Sequence, residues 1–525
     1  MAAARLELLD LPPELILACL LYLPFRDLNS CLHCGNRLLH RIITNSMALR
    51  YRREQELAGV EENPFCPSNS GTSDRLADLR TREANWLGFS PRSTHTIPLD
   101  FQSGGVYDLA SDIYLVGNTA DPTTGLCTSI KYVYTSPGSD VPEWREISAG
   151  KSIIDFGTAL EEHDLIAILT YTPHDSNPQM VSIDVLLFHL STGAPHSLTN
   201  NPTIHIHDVE RHRGRPGISI EISGDVLALS LLYWEHPERD LDVLRLFDWK
   251  SGTSKIIPLS VYNTGLVFIT EHIIAVPNCL EAKLDIVIIP SAKDDTTAPQ
   301  FVYSFLLPSM KPEMAVHSFQ CRSAPNPRAG LNRFTRARFL HRPQDAILLF
   351  ILHIGSEDIA TNHMFVLNRP SFLRILDVCA NHANGGHLIV PWSAWGPVCT
   401  RWLDATSLSM RYITTTVGQR MVTIAHAAPD QPAPICVLNF NAKDVEAQRA
   451  RGDELDGPDA TVCVVEAGAL ELGPFEDPIV SLIPFVETRS RELFDYDAVL
   501  INDENIVGAK FTPGHVESLH VHHFG

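Results

Sequence analysis

The spacing of apolar residues changes character once along the chain. Leu11, Leu15, Ile16, Cys19, Leu20 and Leu23 recur at a helical period and predict one broad apolar stripe. Leu11-Pro12-Pro13-Glu14 reads as the start of that helix. The first N–H groups of a helix have no intrahelical partner, so proline is tolerated there, and Glu14 complements the positive end of the dipole. Pro24 is expected to end it. Asp27 is the expected N-cap of a following helical stretch, with Leu28, Cys31, Leu38 and Ile42 on one face and Gly35 allowing close approach. Two or three short helices cannot bury this much apolar surface among themselves. The stripe therefore has to pack on the rest of the chain or on a partner.

From about Thr94 onward helical periodicity fades, and short β-rich runs alternate with Gly, Pro, Asn and Asp turns. Three segments look alike: Asp164–Leu169 with Asp184–Gly193, Asp225–Ser230 with Asp242–Gly252, and His272–Val276 with Asp285–Ile289. Each predicts a buried strand, a polar loop, a second strand opening at Asp, and a turn. Gly193 and Gly252 sit where a tight hairpin needs positive φ. Weaker echoes begin at Asp112, Asp345 and Asp497. Phe247-Asp248-Trp249-Lys250-Ser251-Gly252 resembles the end of a WD-type propeller blade. The expected fold is mainly β with an N-terminal α-helical module, the β-part a degenerate β-propeller of six to eight blades; a large β-sandwich is the alternative. The charged, weakly helical stretch Lys443–Gly457 reads as an exposed, solvated insertion.

Leu11-Pro12-x-Glu14-Leu15, then Tyr22-Leu23-Pro24-Phe25-Arg26-Asp27-Leu28, then Asn36-Arg37-Leu38 and Ile42-Ile43 resemble the F-box in order and spacing. The likeness continues through Leu49-Arg50-Tyr51-Arg52, Glu56–Val60, Asn63-Pro64, Asp74–Arg80, Glu83, Asn85 and Trp86. That run is similar to the region after the box in a large F-box family of mushroom-forming (basidiomycete) fungi. Cys34 and Leu38 depart from the valine and aromatic ring that many F-boxes carry nearby.

The resemblance implies three parts: an F-box module over 5–46, a helical linker region over 47–93, and a propeller-like substrate-binding domain over 94–525. It also implies a substrate-recognition subunit of an SCF-type cullin-RING ubiquitin ligase, which needs no catalytic residue or cofactor of its own. Its partners would be a Skp-family adaptor, through it a cullin, and a target protein. The implied adaptor-facing set is drawn from Leu11, Pro12, Leu15, Ile16, Leu20, Leu23, Pro24, Leu28, Cys31, Leu38 and Ile42. The rival expectations are a non-degradative F-box scaffold and an enzyme whose carboxylates converge on a propeller channel.

Composition narrows the partners. With 41 Lys+Arg against 62 Asp+Glu the formal charge is -21, which argues against nucleic acid and anionic lipid. Eleven cysteines at irregular spacing, and no usable N-x-Ser/Thr sequon, fit a reducing cytoplasmic or nuclear setting. The apolar run Leu15–Leu23 has acidic left-flank residues and only nine positions, wrong for an export signal or a membrane span.

Local chemical motifs are few. Gly150-Lys151-Ser152 lacks the glycine a phosphate loop needs five residues earlier, where Arg145 stands. Cys31-x-x-Cys34 offers two thiolates where a structural zinc site wants four ligands. His205-x-His207 and the tail His520, His522 and His523 are dense, but no carboxylate stands in fixed local spacing, so no metal site is expected.

Overall fold

The computed structural model describes residues 8–525 apart from 67–69, 122–125, 137–141, 234–238, 256–257, 264, 290–300, 328–333, 357–359, 383–385, 406–411, 426–430, 453 and 513–514. The expected first residues of the helical module, 5–7, lie outside them. Pro13 opens α1 (Pro13–Leu21), which stops before Pro24, with Tyr22 at the C-cap. α2 (Phe25–His33) follows at once, with Pro24 at the N-cap position, so Asp27 stands inside the first turn and is not the cap. Gly35 has φ +77 and open space where a Cβ would be, so it serves the left-handed turn out of α2 and not a close approach. Asn36 caps α3 (Arg37–Asn45), its Oδ1 accepting from the Leu38 and Leu39 N–H groups at 2.9 and 3.1 Å. Ser46 caps α4 (Met47–Ala58), which ends at Gly59 with φ +67. Ile16, Leu20, Leu28, Leu39, Ile43 and Leu49 close a small core between α1, α2, α3 and the start of α4.

The 47–93 segment carries α4 and a further helix and packs against the β-part. α5 (Thr72–Gly88) presses Trp86 onto Phe524, rings stacked 4.3 Å apart. Arg82, 1% exposed, donates to the Asp503 carbonyl at 2.6 Å. The strand Val60–Glu62 pairs with Phe339–His341, and the Asn441 amide donates to the Leu57 carbonyl at 2.7 Å.

The rest is mainly β, and among the described residues its strands pair as seven successive units, each built on four antiparallel strands; the first two share one long strand, Leu388–Val390 adds a parallel strand to the fourth, and Ala460–Val465 with Glu454–Asp456 extends the sixth. The first comprises Ser103–Ala110, Ile113–Asp121, Leu126–Tyr134 and the opening of Arg145–Ala159. The end of that long strand starts the second unit, with Leu165–Pro173, Met180–His189 and Thr203–Glu210. The third runs Gly217–Ser223, Val226–Leu232, Val243–Asp248 and the short edge pieces Thr253–Ser254 and Leu259–Ser260. The fourth is Val267–Thr270, Ile273–Asn278, Lys283–Ile288 and Phe301–Leu306. The fifth is Ala315–Ser323, Ile347–Gly355, Ala360–Asn368 and Thr400–Leu403. The sixth is Thr416–Val417, Arg420–Ile424, Ile435–Asn439 and Phe485–Ser490. The seventh borrows: Ala498–Ile501, Asn505–Thr512 and His515–His523 are completed by Ser93–Pro98 from the other end of the body.

Burial fits this layout. The second strands Leu165–Pro173, Val226–Leu232 and Ile347–Gly355 are apolar and buried along nearly their whole length, as strands covered on both faces should be. Gly193 and Gly252 hold φ +66 and +72 at the expected turns. The repeats therefore mark real second strands in the first five units. The echo at Asp497 marks a first strand instead, Ala498–Ile501, and the second strand of the sixth unit, Arg420–Ile424, gave no echo.

α6 (Arg369–His382) and α7 (Trp392–Cys399) cover the fourth and fifth units, feeding Phe372 and Trp395 into the largest apolar core. α8 (Ala442–Arg451) is helical, and it corrects the expectation that Lys443–Gly457 is a wholly exposed insertion. It is a helix whose Val445, 1% exposed, packs on Val462 and Val486, because the i, i+3 pair Val445 and Gln448 gives it a buried face. Among the described residues no helix is long and apolar enough to cross a membrane.

Candidate functional site: an exposed apolar face and a polar cavity

Helix α1 is apolar on two sides. Ile16 (0% exposed) and Leu20 (1%) point into the small core, while Leu15 is 52% exposed and Tyr22 is 89% exposed. Leu15, Ala18, Cys19 and Tyr22, all exposed, fall at i, i+3, i+4 and i+7, one continuous face. Six of the sixteen exposed large hydrophobic side chains among the described residues are Leu8, Leu9, Leu15, Leu21, Tyr22 and Leu38, all within this module. Of the expected adaptor-facing set, Pro12, Leu15, Pro24 and Leu38 are exposed, and Leu11, Leu23, Cys31 and Ile42 are half-buried. Ile16, Leu20 and Leu28 are interior, so they shape the module and are not themselves surface. Leu21 and Tyr22 join the exposed set though the stripe did not point to them.

The second feature lies among the first strands of the seven units. They line a cavity of about 400 Å³, to which the first strands of the first, second, third and fifth units contribute Asp108, Asp155, Glu221 and Arg322, while Ile413 stands just before the first strand of the sixth and Asp503 just after that of the seventh. The Arg322 guanidinium pairs with Asp108, and the Thr158 hydroxyl donates to the other Asp108 oxygen at 3.0 Å. Burial, with the Asp108 charge added, pushes the Asp155 carboxyl up to about 7 against the pull of the Phe156 N–H. Glu221 is pushed up to about 7 by burial and by Asp108 and Asp155, partly offset by Arg322. Gly157 admits this crowding: a Cβ there would stand 3.0 Å from the Ile220 carbonyl oxygen. Carboxyl groups poised near neutrality, facing one guanidinium, suit a cationic guest or proton transfer.

Sequence reasoning missed this cavity because its residues come from separate units, the paired Asp108 and Arg322 standing 214 positions apart. The available signal was a charge inside an apolar strand: Asp155 between Ile154 and Phe156, Glu221 between Ile220 and Ile222.

The discounted motifs have other partners. Lys151 pairs with Asp184 at 3.0 Å in strand structure. The Cys34 thiol donates to the Cys31 carbonyl at 3.0 Å. His205 pairs with Asp184 at 3.0 Å, while His207 meets the Tyr233 hydroxyl at 2.9 Å. His522 meets the Tyr496 hydroxyl at 2.9 Å, and burial beside His520 and His95 pushes its ring down to about 4. Among the described residues no group of three or more His, Cys, Asp or Glu is placed to hold a metal.

No family model matches the chain, and no curated protein matches it. Among solved structures it is similar to the WD40 domain of SCAP from fission yeast: 7% identity, 82% of this chain and 95% of that one, TM-score 0.35. A functionally unknown protein from Desulfotomaculum acetoxidans DSM 771 matches at 12% identity over 66% and 84% of the two chains, TM-score 0.31. A luciferin-regenerating enzyme matches at 9% identity over 78% and 99%, TM-score 0.28.

Proposed function

We propose that this chain is a substrate-recognition subunit of an SCF-type ubiquitin ligase, with α1–α3 docking on a Skp-family adaptor. The β-part, on this reading a seven-bladed propeller closed by the strand Ser93–Pro98, would hold the target protein. The observation that carries the reading is the doubly apolar α1. One face is satisfied by the module's own core, and the other, Leu15 to Tyr22, is left to water. A helix apolar on both sides needs cover on both sides. The order of F-box-like residues along α1–α3 supports an adaptor as that cover. The chain's role would then be proximity: holding a target's lysines near a loaded conjugating enzyme raises their effective concentration. The carboxylate-lined cavity and the acidic balance favour a basic segment on the target. Co-expression with a Skp-family adaptor followed by size-exclusion chromatography tests this. A stoichiometric complex that needs residues 1–46 is expected; a folded protein that ignores the adaptor would overturn the reading.

The cavity supports a second reading, an enzyme using Asp155 and Glu221 as acid and base. It predicts that the full chain ignores the adaptor and turns over a cationic substrate. Such turnover would be lost in Glu221→Gln while the fold persists.

A further inference from the structure

The polar cavity of about 400 Å³ holds more carboxyl groups than the chain itself neutralises. Arg322 is taken by Asp108, and neither Asp155 nor Glu221 has an ion pair among the described residues. Asp155 accepts from the Phe156 N–H beside it at 2.8 Å, and Glu221 accepts no hydrogen bond among the described residues. Both side chains lie deep in the body, yet each keeps accessible surface on the cavity wall. On Gly217–Ser223, Ile220 and Ile222 enter the apolar core between the second and third units, so alternation turns Glu221 to the opposite face. Its oxygens are not sealed into the packing; they open on space that a ligand can reach.

An enclosed carboxyl with neither donor nor counter-ion is unfavourable, and valine or threonine at 221 would serve a strand that only had to close the wall. What the wall lacks is a cation rich in N–H donors. Asp155 and Glu221 stand on separate strands, close enough for Asp155 to hold Glu221 back from ionising. Two carboxyls on two strands do not make the single planar edge that a guanidinium fork prefers. A compact ammonium, with three N–H groups, can donate to both. No third metal-binding side chain joins them among the described residues, which disfavours a bare divalent ion. Ile218 and Ile413, each with surface on the same cavity, suit an aliphatic stem, and the volume lies in the range of small-molecule sites.

We propose that this cavity binds a primary alkylammonium group, with Glu221 and Asp155 accepting its N–H donors and its carbon chain lying along Ile218 and Ile413. Two sources carry that group: a free diamine, and a lysine side chain of a target protein. The inference rests on the reading of this cavity as a receptor for positive charge and is independent of the adaptor face. The other charged groups of the wall are Asp108, Arg322, Glu161, Glu162 and Asp503. Asp155 and Glu221 titrate at about 7, so an entering ammonium ion drives out the protons that they hold at neutral pH.

The test uses the full chain in isothermal titration with butylamine, 1,4-diaminobutane and Nα-acetyl-lysine amide, and with 1-butanol and tetramethylammonium as controls. At least one primary amine is expected to bind, roughly tenfold or more tighter at pH 8 than at pH 6, with proton release at pH 7 read from the dependence of the heat on buffer. Butanol lacks the charge and tetramethylammonium lacks the N–H groups, so neither should bind comparably. Glu221→Gln is expected to weaken amine binding roughly tenfold or more while melting no lower than the parent at pH 8, since it removes an enclosed charge at equal volume. Asp155→Asn provides the same comparison should the glutamine variant fold poorly. Tighter binding of the diamine identifies a free amine as the ligand, and tighter binding of the lysine derivative identifies a target side chain. If no primary amine binds at millimolar concentration, if tetramethylammonium binds as well, or if both variants bind like the parent, the proposal fails. Adaptor complex formation in size-exclusion chromatography is a separate readout, so failure of either reading leaves the other standing.

Discussion

The split between the two faces of α1 can be tested with one pair of substitutions. Leu15 is 52% exposed, so Leu15→Asp removes little buried surface, and exposed substitutions of this kind usually change stability by less than about 0.5 kcal/mol. On a docked surface the same change is severe. It forfeits about 1.5–3 kcal/mol of leucine burial and places an unpaired carboxylate in an apolar interface. A loss of about 3 kcal/mol already means a roughly hundredfold weaker complex. Leu20, 1% exposed, behaves in the opposite sense: Leu20→Ala leaves a cavity in the module's own core and costs about 2–5 kcal/mol of its stability. Adaptor affinity by titration, paired with hydrogen exchange of the α1–α3 amides, separates the two. Leu15→Asp should abolish binding with protection unchanged, and Leu20→Ala should lower protection first. Leu15→Asp binding like the parent would refute the outward face as the docking surface. Loss of protection in Leu15→Asp would mean that α1 is packed differently from its description above.

Two further outcomes follow from the body. Phe524→Ala removes a fully buried ring stacked on Trp86 at 4.3 Å and 5.6 Å from Phe89, and should cost about 3–5 kcal/mol in urea denaturation; a cost below about 1 kcal/mol would mean that α5 is not held there. Glu504 is 8% exposed, and burial raises its carboxyl from 4.5 to about 7, so the fold prefers the protonated form. Its contribution is fully present below about pH 4.5 and is lost as pH rises through about 7, by about 3 kcal/mol at most. Glu504→Gln should therefore match the parent near pH 4.5 and exceed it by pH 8, and a difference independent of pH would count against a buried, protonated Glu504.

What the sequence disclosed, and what it hid, divides along physical lines. Leu165, Val226 and Ile273 open second strands that were legible because a polar turn is followed by an unbroken apolar run. Arg420–Ile424 does the same structural work but opens at Gln419-Arg420 and carries Thr423, so its apolar run is interrupted. Arg420 is buried all the same, because Glu83 of α5 pairs with it across the sequence. The exposed face of α1 was half legible. Leu15 lay in the stripe, yet period alone could not say that Ile16 and Leu20 face inward and Leu15 outward, since every position from Leu15 to Leu21 is apolar. Asp108, Asp155, Glu221 and Arg322 meet only because successive units place their first strands side by side, which no local pattern records.

The pairing of Ser93–Pro98 with His515–His523 has a consequence for biosynthesis. Ser93 meets His523, 430 positions later. At about 5–20 residues per second the early strand waits on the order of 20–90 s for its partner to be made. Throughout that wait it is an unpaired β-edge, the kind of template on which nascent chains aggregate. Its composition answers the hazard: Ser93, Thr94, His95 and Thr96 are polar, Ile97 is its single large apolar side chain, and Pro98 ends it with no N–H to offer. The segment can remain in solution on the ribosome and be captured only when its complement arrives.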